Sequence, residues 1–342
     1  MEKVRIGIIG MGRMGITHYP IINTHPSVDI VSVADTSSTI LDLMKKYIPK
    51  LKTYTDFKDL LNARDIDGVI ICTPSFLHYE ACKLAGENGI AVFCEKPFTT
   101  SPDKAYELAA LFEKKNIVNQ VGYVNRYSKL FQNIKQYLEE GLIGRMVHVK
   151  GEFYSCTIIK PQSSNGWRSS RENGGGATYE MGAHILDLLS FILGKPLKVF
   201  GSTMNSIYSK GVEDLMMTNL LYPNNVSGSV FVNWSDATYR KPMMKIEFFG
   251  DKGKILVDFY GMRLYLAEAS EKYNFIAGWN SVSANMISDH TPFYVRGNSY
   301  TQQLYDFADE ILGLKNESIC SFRDAAATQD VIHQIFKNSK AL

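Results

Sequence analysis

The chain has 342 residues, of which 45% are hydrophobic and 21% charged, and 37 Lys+Arg against 35 Asp+Glu leave a net charge of +2. At roughly 150 residues per domain this length suggests two domains, and the composition excludes a mainly disordered, collagen-like or disulfide-stapled chain. The balanced charge provides no basic surface for nucleic acid or for an anionic membrane, so neither is expected as a partner.

The first 120 residues alternate strand and helix signals. Val4–Ile9 reads as a strand ending in glycine, Met14–Thr24 as a helix, Ile30–Ala34 as a second strand and Thr39–Tyr47 as a second helix. Gly68–Cys72 and Ala91–Cys94 are further short apolar strands, with helices over Phe76–Asn88 and Pro102–Lys115, and Val118–Tyr123 closes the series. Short, continuous, β-branched runs separated by helices indicate a buried parallel sheet of the doubly wound α/β type. The texture then changes. Leu130–Glu140 and Gly182–Leu193 read as helices and Met146–Ser155 as a half-exposed strand. Strand signals recur at Leu215–Tyr222, Ser227–Trp234, Met243–Phe249 and Gly253–Val257, and helices close the chain at about Tyr300–Leu312 and Arg323–Lys337. The expectation is a Rossmann domain over residues 1–122 and an α+β domain with a large, open, mostly antiparallel sheet over residues 123–342.

Gly10-Met11-Gly12-Arg13-Met14-Gly15 follows the first strand directly and opens a helix. That context turns a weak G-x-G-x-x-G pattern into a dinucleotide fingerprint. Gly10 permits the tight turn, Gly12 lets the backbone approach a pyrophosphate, and Gly15 allows close helix–strand packing. Asp35 ends the second strand, 20 residues after Gly15. A carboxylate there suits the ribose hydroxyls of NAD and repels the 2′-phosphate of NADP, so NAD is favoured, and a helix cap is the alternative role for Asp35.

Further motifs follow in order: Thr73-Pro74-Ser75-Phe76-Leu77-His78, Glu95-Lys96-Pro97, Trp167-Arg168, and Gly174-Gly175-Gly176 leading to Glu180, His184 and Asp187. Behind a Rossmann fingerprint, this series resembles the Gfo/Idh/MocA oxidoreductases over nearly the whole chain. The resemblance implies an NAD(P)-dependent dehydrogenase or reductase acting on a CH–OH group of a sugar, inositol or nucleotide-sugar. It further implies that the second domain carries the substrate site and forms the interface of a homodimer or homotetramer.

Lys96 follows an apolar strand, at the end where ligands bind in this fold class. An ammonium there can stabilise negative charge on the reacting oxygen, and the resemblance gives Lys96 this catalytic and substrate-binding role, with a following proline that is often cis. Histidine as a residue type suits proton exchange near neutral pH, which makes His184 a candidate base. The resemblance makes it the proton acceptor or a substrate ligand; a structural buried histidine is the alternative. Glu180 and Asp187, four residues before and three after, fall on the same helical face. Glu180 departs from the family, whose members often carry Asp there, and its carboxylate reaches about one methylene further. It orients His184, contacts substrate, or stands idle on the helix face.

Thr73 and Pro74, just past a strand end, are candidates for nicotinamide-side contact, and the resemblance places Trp167 and Arg168 by the same end; Glu95, Lys96 and Asn125 are grouped with the cofactor residues, Asn125 and Arg126 reach cofactor or substrate, and Arg126 and Arg168 are the candidate substrate contacts. Packing is the alternative for Asn125, Arg126, Trp167 and Arg168. His78 is grouped with the cofactor residues but reads chiefly as a structural hydrogen-bonder. Lys160, Arg168 and Arg171 put three cations near the expected site and would suit a phosphate.

Cys72, Cys82, Cys94, Cys156 and Cys320 show irregular spacing and no C-x-x-C, so neither disulfides nor structural zinc is expected. No metal is expected elsewhere, because hydride transfer needs none. No run approaches the roughly 20 apolar residues of a membrane span, and Arg13 and the glycines interrupt any signal-peptide core. A soluble cytoplasmic protein with a small sugar-like substrate is the expectation. Two rival functions are a glycosidase-type relative that retains its NAD and a non-catalytic NAD sensor.

Overall fold

The computed structural model describes residues 3–161, 166–288, 291, 294 and 297–341, and the side chains of Trp167 and of residues 340 and 341 lie outside that description. The chain forms two compact units, Met1–Tyr127 with His290–Gln329, and Ser128–Asp289 with Asp330–Leu342.

In the first unit the strands β1 (Val4–Ile9), β2 (Val28–Ala34), β3 (Lys52–Tyr54), β4 (Gly68–Ile71), β5 (Ala91–Cys94) and β6 (Asn119–Val121) make one sheet in the order 3-2-1-4-5-6. Every neighbouring pair is parallel, which is the doubly wound order. The connections are α1 (Arg13–Ile22), α2 (Ser38–Tyr47), α3 (Phe57–Asn62), α4 (His78–Glu87) and α5 (Pro102–Lys115). β4 and β5 are buried at every position, as a sheet covered by helices on both faces requires. Local signals set the helix ends. The Ser37 hydroxyl accepts from the Ile40 N–H to start α2, and α5 carries Pro in its first turn and stops at Asn116 in the left-handed region.

The second unit holds α6 (Lys129–Glu139), β7 (Met146–Tyr154), α7 (Ala183–Leu193), β8 (Lys198–Asn205), β9 (Leu215–Leu221), β10 (Ser227–Asn233), β11 (Met243–Gly250), β12 (Gly253–Asp258), β13 (Gly261–Leu266), β14 (Gly278–Ser283) and the short α8 (Ala284–Ile287). Its eight strands run in the order 14-13-12-11-7-10-9-8, and the two-residue β15 (Lys340–Ala341) adds at the β8 edge. Neighbours are antiparallel, except that β7 pairs with β10, and β8 with β15, in parallel. Burial alternates along the strands, so one face is core and the other open. Gly151 in β7 lets α7 approach the core face: a Cβ there would lie 2.7 Å from Ile185 Cδ1. This contact fixes the height of α7, and with it His184, over the sheet.

The division differs from a single boundary at 122/123 with both closing helices in the second domain. The last helices are α9 (Asn298–Ile311) and α10 (Phe322–Asn338). α9 and the part of α10 up to Gln329 belong to the first unit. Leu304, Phe307 and Ala308 of α9 share a core cluster with Ile6, Ile8 and Phe93, and the Gln120 side-chain amide donates to the Gln303 carbonyl at 2.7 Å. The apolar side chains of β1 and β5 need a cover, and residues remote in sequence supply it.

Candidate functional site

The glycine turn between β1 and α1 is shaped by close backbone approach. Gly10 has φ +88, and a Cβ there would lie 2.9 Å from the Cys72 carbonyl. A Cβ on Gly15 would lie 2.0 Å from the Gly10 oxygen, whereas one on Gly12 would meet nothing within 4 Å. Gly10 and Gly15 therefore build the turn, and Gly12 leaves room in front of it. α1 starts without a side-chain cap and without an acidic residue in its first turn, so its leading N–H groups are available to an anion. Asp35 accepts the Met11 N–H at 2.6 Å and the Ser37 N–H at 2.8 Å, holding the turn while keeping a half-buried carboxylate at the end of β2. Met11 itself is buried in the core cluster, Arg13 is exposed and Met14 half-buried.

Past β4, the Thr73 hydroxyl oxygen is buried with no hydrogen-bond partner among the described residues, while Pro74 is exposed. An orphaned hydroxyl, an uncapped helix start, an open glycine and a carboxylate at the end of β2 together fit a dinucleotide. A direct check contrasts two glycines. Gly15→Ala, which must open the turn, should weaken NADH binding by about 100-fold or more in a nicotinamide-fluorescence titration. Gly12→Ala should keep its thermal midpoint and lose binding only through the space it fills.

His78 is buried, with Nε2 2.9 Å from the Thr73 carbonyl and Nδ1 3.0 Å from that of Pro97. It ties the loop after β4 to the loop after β5. Burial holds its pKa below the ordinary value, outweighing those carbonyls. Its ring nitrogens are thus turned to the backbone, in keeping with the structural reading. The Lys96–Pro97 bond is cis, and Lys96 is half-buried at the carboxyl end of β5. Beside it lies a pair that sequence reasoning missed. His18 Nε2 donates to Glu95 Oε1 at 2.6 Å, and Glu95 Oε2 accepts the Lys96 N–H at 3.1 Å. Both side chains are buried. Burial pushes the Glu95 carboxyl up, but the His18 hydrogen bond and charge, together with the charge of Lys96, hold it below the usual carboxylate value. Gly122 admits the pair, since a Cβ there would lie 3.2 Å from the Glu95 carboxyl. A signal for His18 was present. Gly15, His18, Ile21 and Ile22 form the buried face of α1, and a polar group on such a face needs a partner.

In the second unit the glycine run is clamped from two sides. A Cβ on Gly175 would lie 2.2 Å from the Arg168 carbonyl, and one on Gly176 (φ +102) 2.5 Å from Glu213 Oε1. Glu213, buried, also accepts the Thr178 N–H at 3.0 Å and pairs with Arg171 at 3.3 Å. Arg171 lies over the Phe336 ring, 4.6 Å from its centroid. Glu213 has no motif of its own and was missed. The adjacent Asp214 accepts the N–H groups of Ile207, Tyr208 and Ser209 and the Trp234 indole N–H, fixing the chain between Glu213 and the start of β9.

Beyond the glycines, Thr178–Gly182 is a single π-turn, not the continuous α-helix that the spacing of Glu180 and His184 suggests. Such turns widen the backbone and recur at functional sites. Glu180 Oε1 stands 3.5 Å from Arg168 Nε. His184, the second residue of α7, is half-buried with Phe153 beside it, ring centroids 6.3 Å apart, and Asp187 is buried one turn on. Arg126 does not present its guanidinium as a substrate contact: it is buried, donates to the Ile319 carbonyl at 2.8 Å and lies 3.4 Å from Asp324. Asn125 is half-buried in the 3-10 turn Val124–Tyr127. Lys160 is exposed. The Trp167 side chain lies outside the described residues.

All five cysteines are free thiols, and burial pushes those of Cys72 and Cys94 well up, so neither is a nucleophile near neutral pH. Among the described residues no group of three or more His, Cys, Asp or Glu is placed to hold a metal ion. No helix among them is long and apolar enough to cross a membrane.

Comparison with known proteins agrees with this layout. Residues 4–123 match the GFO_IDH_MocA description, an oxidoreductase family with an NAD-binding Rossmann fold, and residues 131–256 match the GFO/IDH/MocA C-terminal domain. The uncharacterized oxidoreductase YrbE of Bacillus subtilis (strain 168) is 26% identical over 339 residues, covering 94% of this chain and 90% of its own. Levoglucosan dehydrogenase of Pseudarthrobacter phenanthrenivorans is 25% identical over 291 residues, covering 76% of this chain and 74% of its own. The structure of a levoglucosan dehydrogenase with NADH and L-sorbose aligns with a TM-score of 0.86 at 20% identity, over 99% of this chain and 97% of that one. At such identity the likeness speaks for the fold.

Proposed function

The chain belongs to the GFO/IDH/MocA family of NAD-binding oxidoreductases, and from that premise we propose that it moves hydride between NAD and a hydroxyl-bearing carbon of a sugar or cyclitol. The observation that carries the reading is Lys96 at the carboxyl end of β5, in the same sheet as the strand that leads into a glycine turn built for a dinucleotide and next to the buried Glu95–His18 pair. The bound cofactor supplies the hydride acceptor. Lys96 hydrogen-bonds the reacting oxygen and stabilises the charge that develops there. His184 accepts the hydroxyl proton, and Asp187 or Glu180 orients its imidazole. Asp35 receives the ribose hydroxyls and disfavours the extra phosphate of NADP. A levoglucosan dehydrogenase among the relatives favours a carbohydrate substrate.

A homodimer or homotetramer is part of the same reading. The open face of the second unit's sheet exposes Phe200, Met217, Phe249, Tyr265 and Trp279 beside a groove of about 680 Å³ lined by Lys150, Glu152, Lys245, Glu247 and Arg263. A face with large apolar groups and both signs of charge suits a second copy. Free thiols agree with a reducing, cytoplasmic setting.

The test is NADH formation by the purified chain with inositols, free sugars, sugar phosphates and nucleotide-sugars, with NADP run in parallel. Oxidation of one class, with kcat/KM at least about tenfold higher for NAD than NADP, is the expected result. Bound NAD with no turnover in either direction across the panel would reject the reading.

A further inference from the structure

In the turn Thr178–Gly182 every residue except Glu180 is buried. The Tyr179 ring packs on that of Phe336, centroids 5.1 Å apart, and the Ser155 hydroxyl donates to the Met181 sulfur at 3.1 Å. Thr178, the first residue, is held by the Glu213 carboxylate, which accepts its N–H at 3.0 Å. The Glu213 carbonyl accepts the N–H of Ala177, just before it, at 3.1 Å. The leading N–H groups of a helical segment need acceptors from outside it. Ala177, at the cap position, has none to offer, and the Thr178 hydroxyl is itself buried without a partner among the described residues. The acceptor comes instead from 35 residues away. Glu213 is suited to that task. It is only 2% exposed, Arg171 balances its charge, and a carboxylate is favoured at the positive end of a helical segment. Gly176, with φ +102, leaves the space in which the carboxylate sits.

We propose that Glu213 is a positioning residue for the reaction: by holding the first N–H of the turn it sets where Glu180 and His184 stand. The inference rests on His184 as the proton acceptor and adds a residue that acts through it. His184 follows the turn by two positions. Ile185 against Gly151 fixes the height of α7 over the sheet, and Glu213 fixes where the segment leading into it begins. Without that acceptor a buried N–H is orphaned, and the turn must rearrange to satisfy it. Both side chains are then re-aimed, and a misplacement of about 1 Å at a reacting group costs on the order of 10²-fold in rate.

The experiment uses the full chain, the panel substrate with the highest turnover, and a temperature below every variant's thermal midpoint. Glu213→Ala removes the acceptor and should lower kcat by about 100-fold. Glu213→Gln keeps an oxygen for the Thr178 N–H and loses the charge facing Arg171, so its midpoint falls while kcat stays within about threefold of wild type. Glu213→Asp keeps the charge but withdraws the acceptor by about 1.5 Å. It should lose about tenfold in kcat, and it carries the test if Glu213→Ala does not fold. A merely structural Glu213 would move the midpoints and leave kcat level. The second readout needs no turnover. In histidine-labelled protein the His184 NMR signal, identified by its loss in His184→Gln, should move in Glu213→Ala and Glu213→Asp and return in Glu213→Gln. The signals of His18, His25 and His78, all in the first unit, should stay in place. Level kcat across the variants, a Gln variant as slow as the Ala variant, or an unmoved His184 signal overturns the proposal. Wild-type protein that binds NADH and turns over nothing in either direction overturns the dehydrogenase reading instead, and the His184 signal then decides alone whether Glu213 positions that side chain.

Discussion

Replacing Lys96 by Met lowers kcat by about 10³-fold, the scale of losing one preorganised donor to a developing oxyanion, while NADH binding changes less than a few-fold. The Met side chain has similar length and no charge, so packing beside Glu95 survives and hydrogen bonding to the reacting oxygen does not. The contrast between kcat and cofactor affinity is the informative part. A lysine that merely balanced the Glu95 carboxylate would lower stability with little effect on turnover. Stopped-flow NADH formation, a fluorescence titration and a thermal midpoint on one preparation separate these cases, and turnover within about threefold of wild type would remove Lys96 from the chemistry.

Glu95→Ala destabilises the chain by about 3–5 kcal/mol, the range for breaking a buried ion pair from one side. His18 is fully buried with Nδ1 unpartnered among the described residues, and without Glu95 its Nε2 loses its acceptor as well. Glu95→Gln keeps an acceptor for His18 and should lose less. The charge also sets a pH dependence. The native Glu95 carboxyl titrates below its ordinary value: burial pushes it up, but the His18 bond and charge and the nearby Lys96 charge outweigh that. A depressed carboxyl stabilises fully above its unfolded value of about 4.3 and loses that contribution as pH falls through the lower native value. Urea midpoints should therefore fall on acidification below about pH 5 in the wild type and fall less steeply in Glu95→Gln. Equal slopes would show that the pair carries no net charge effect.

What the sequence made legible was local. Gly10 and Gly15 announce the turn because each answers a local constraint, a positive φ at Gly10 and the Gly10 oxygen against Gly15, while Gly12 leaves open space in front of it. The parallel sheet is legible because β4 and β5 are apolar at every position. What escaped depends on distance. His18 and Glu95 are 77 positions apart, and Thr178 and Glu213 are 35 apart. No periodicity links such pairs; only the rule that a buried polar group needs a partner points at them. β3, with three residues, is too short to show a period. The π-turn under Glu180 escaped because its sequence, Thr178-Tyr179-Glu180-Met181-Gly182, suits an α-helix equally well. The parallel pairing of β7 with β10 escaped because alternating burial is blind to strand direction.

The return of residues 290–329 to the first unit also governs how the chain is made. A ribosome delivers β1 to β6 long before α9, so the nascent first unit waits through more than half of synthesis with the apolar sites of Leu304, Phe307 and Ala308 unfilled. During that interval it presents sticky surface of the kind chaperones hold. Vectorial folding from the amino terminus therefore cannot finish the nucleotide domain by itself, and a product cut off near residue 127 is a client for quality control, not a small autonomous protein.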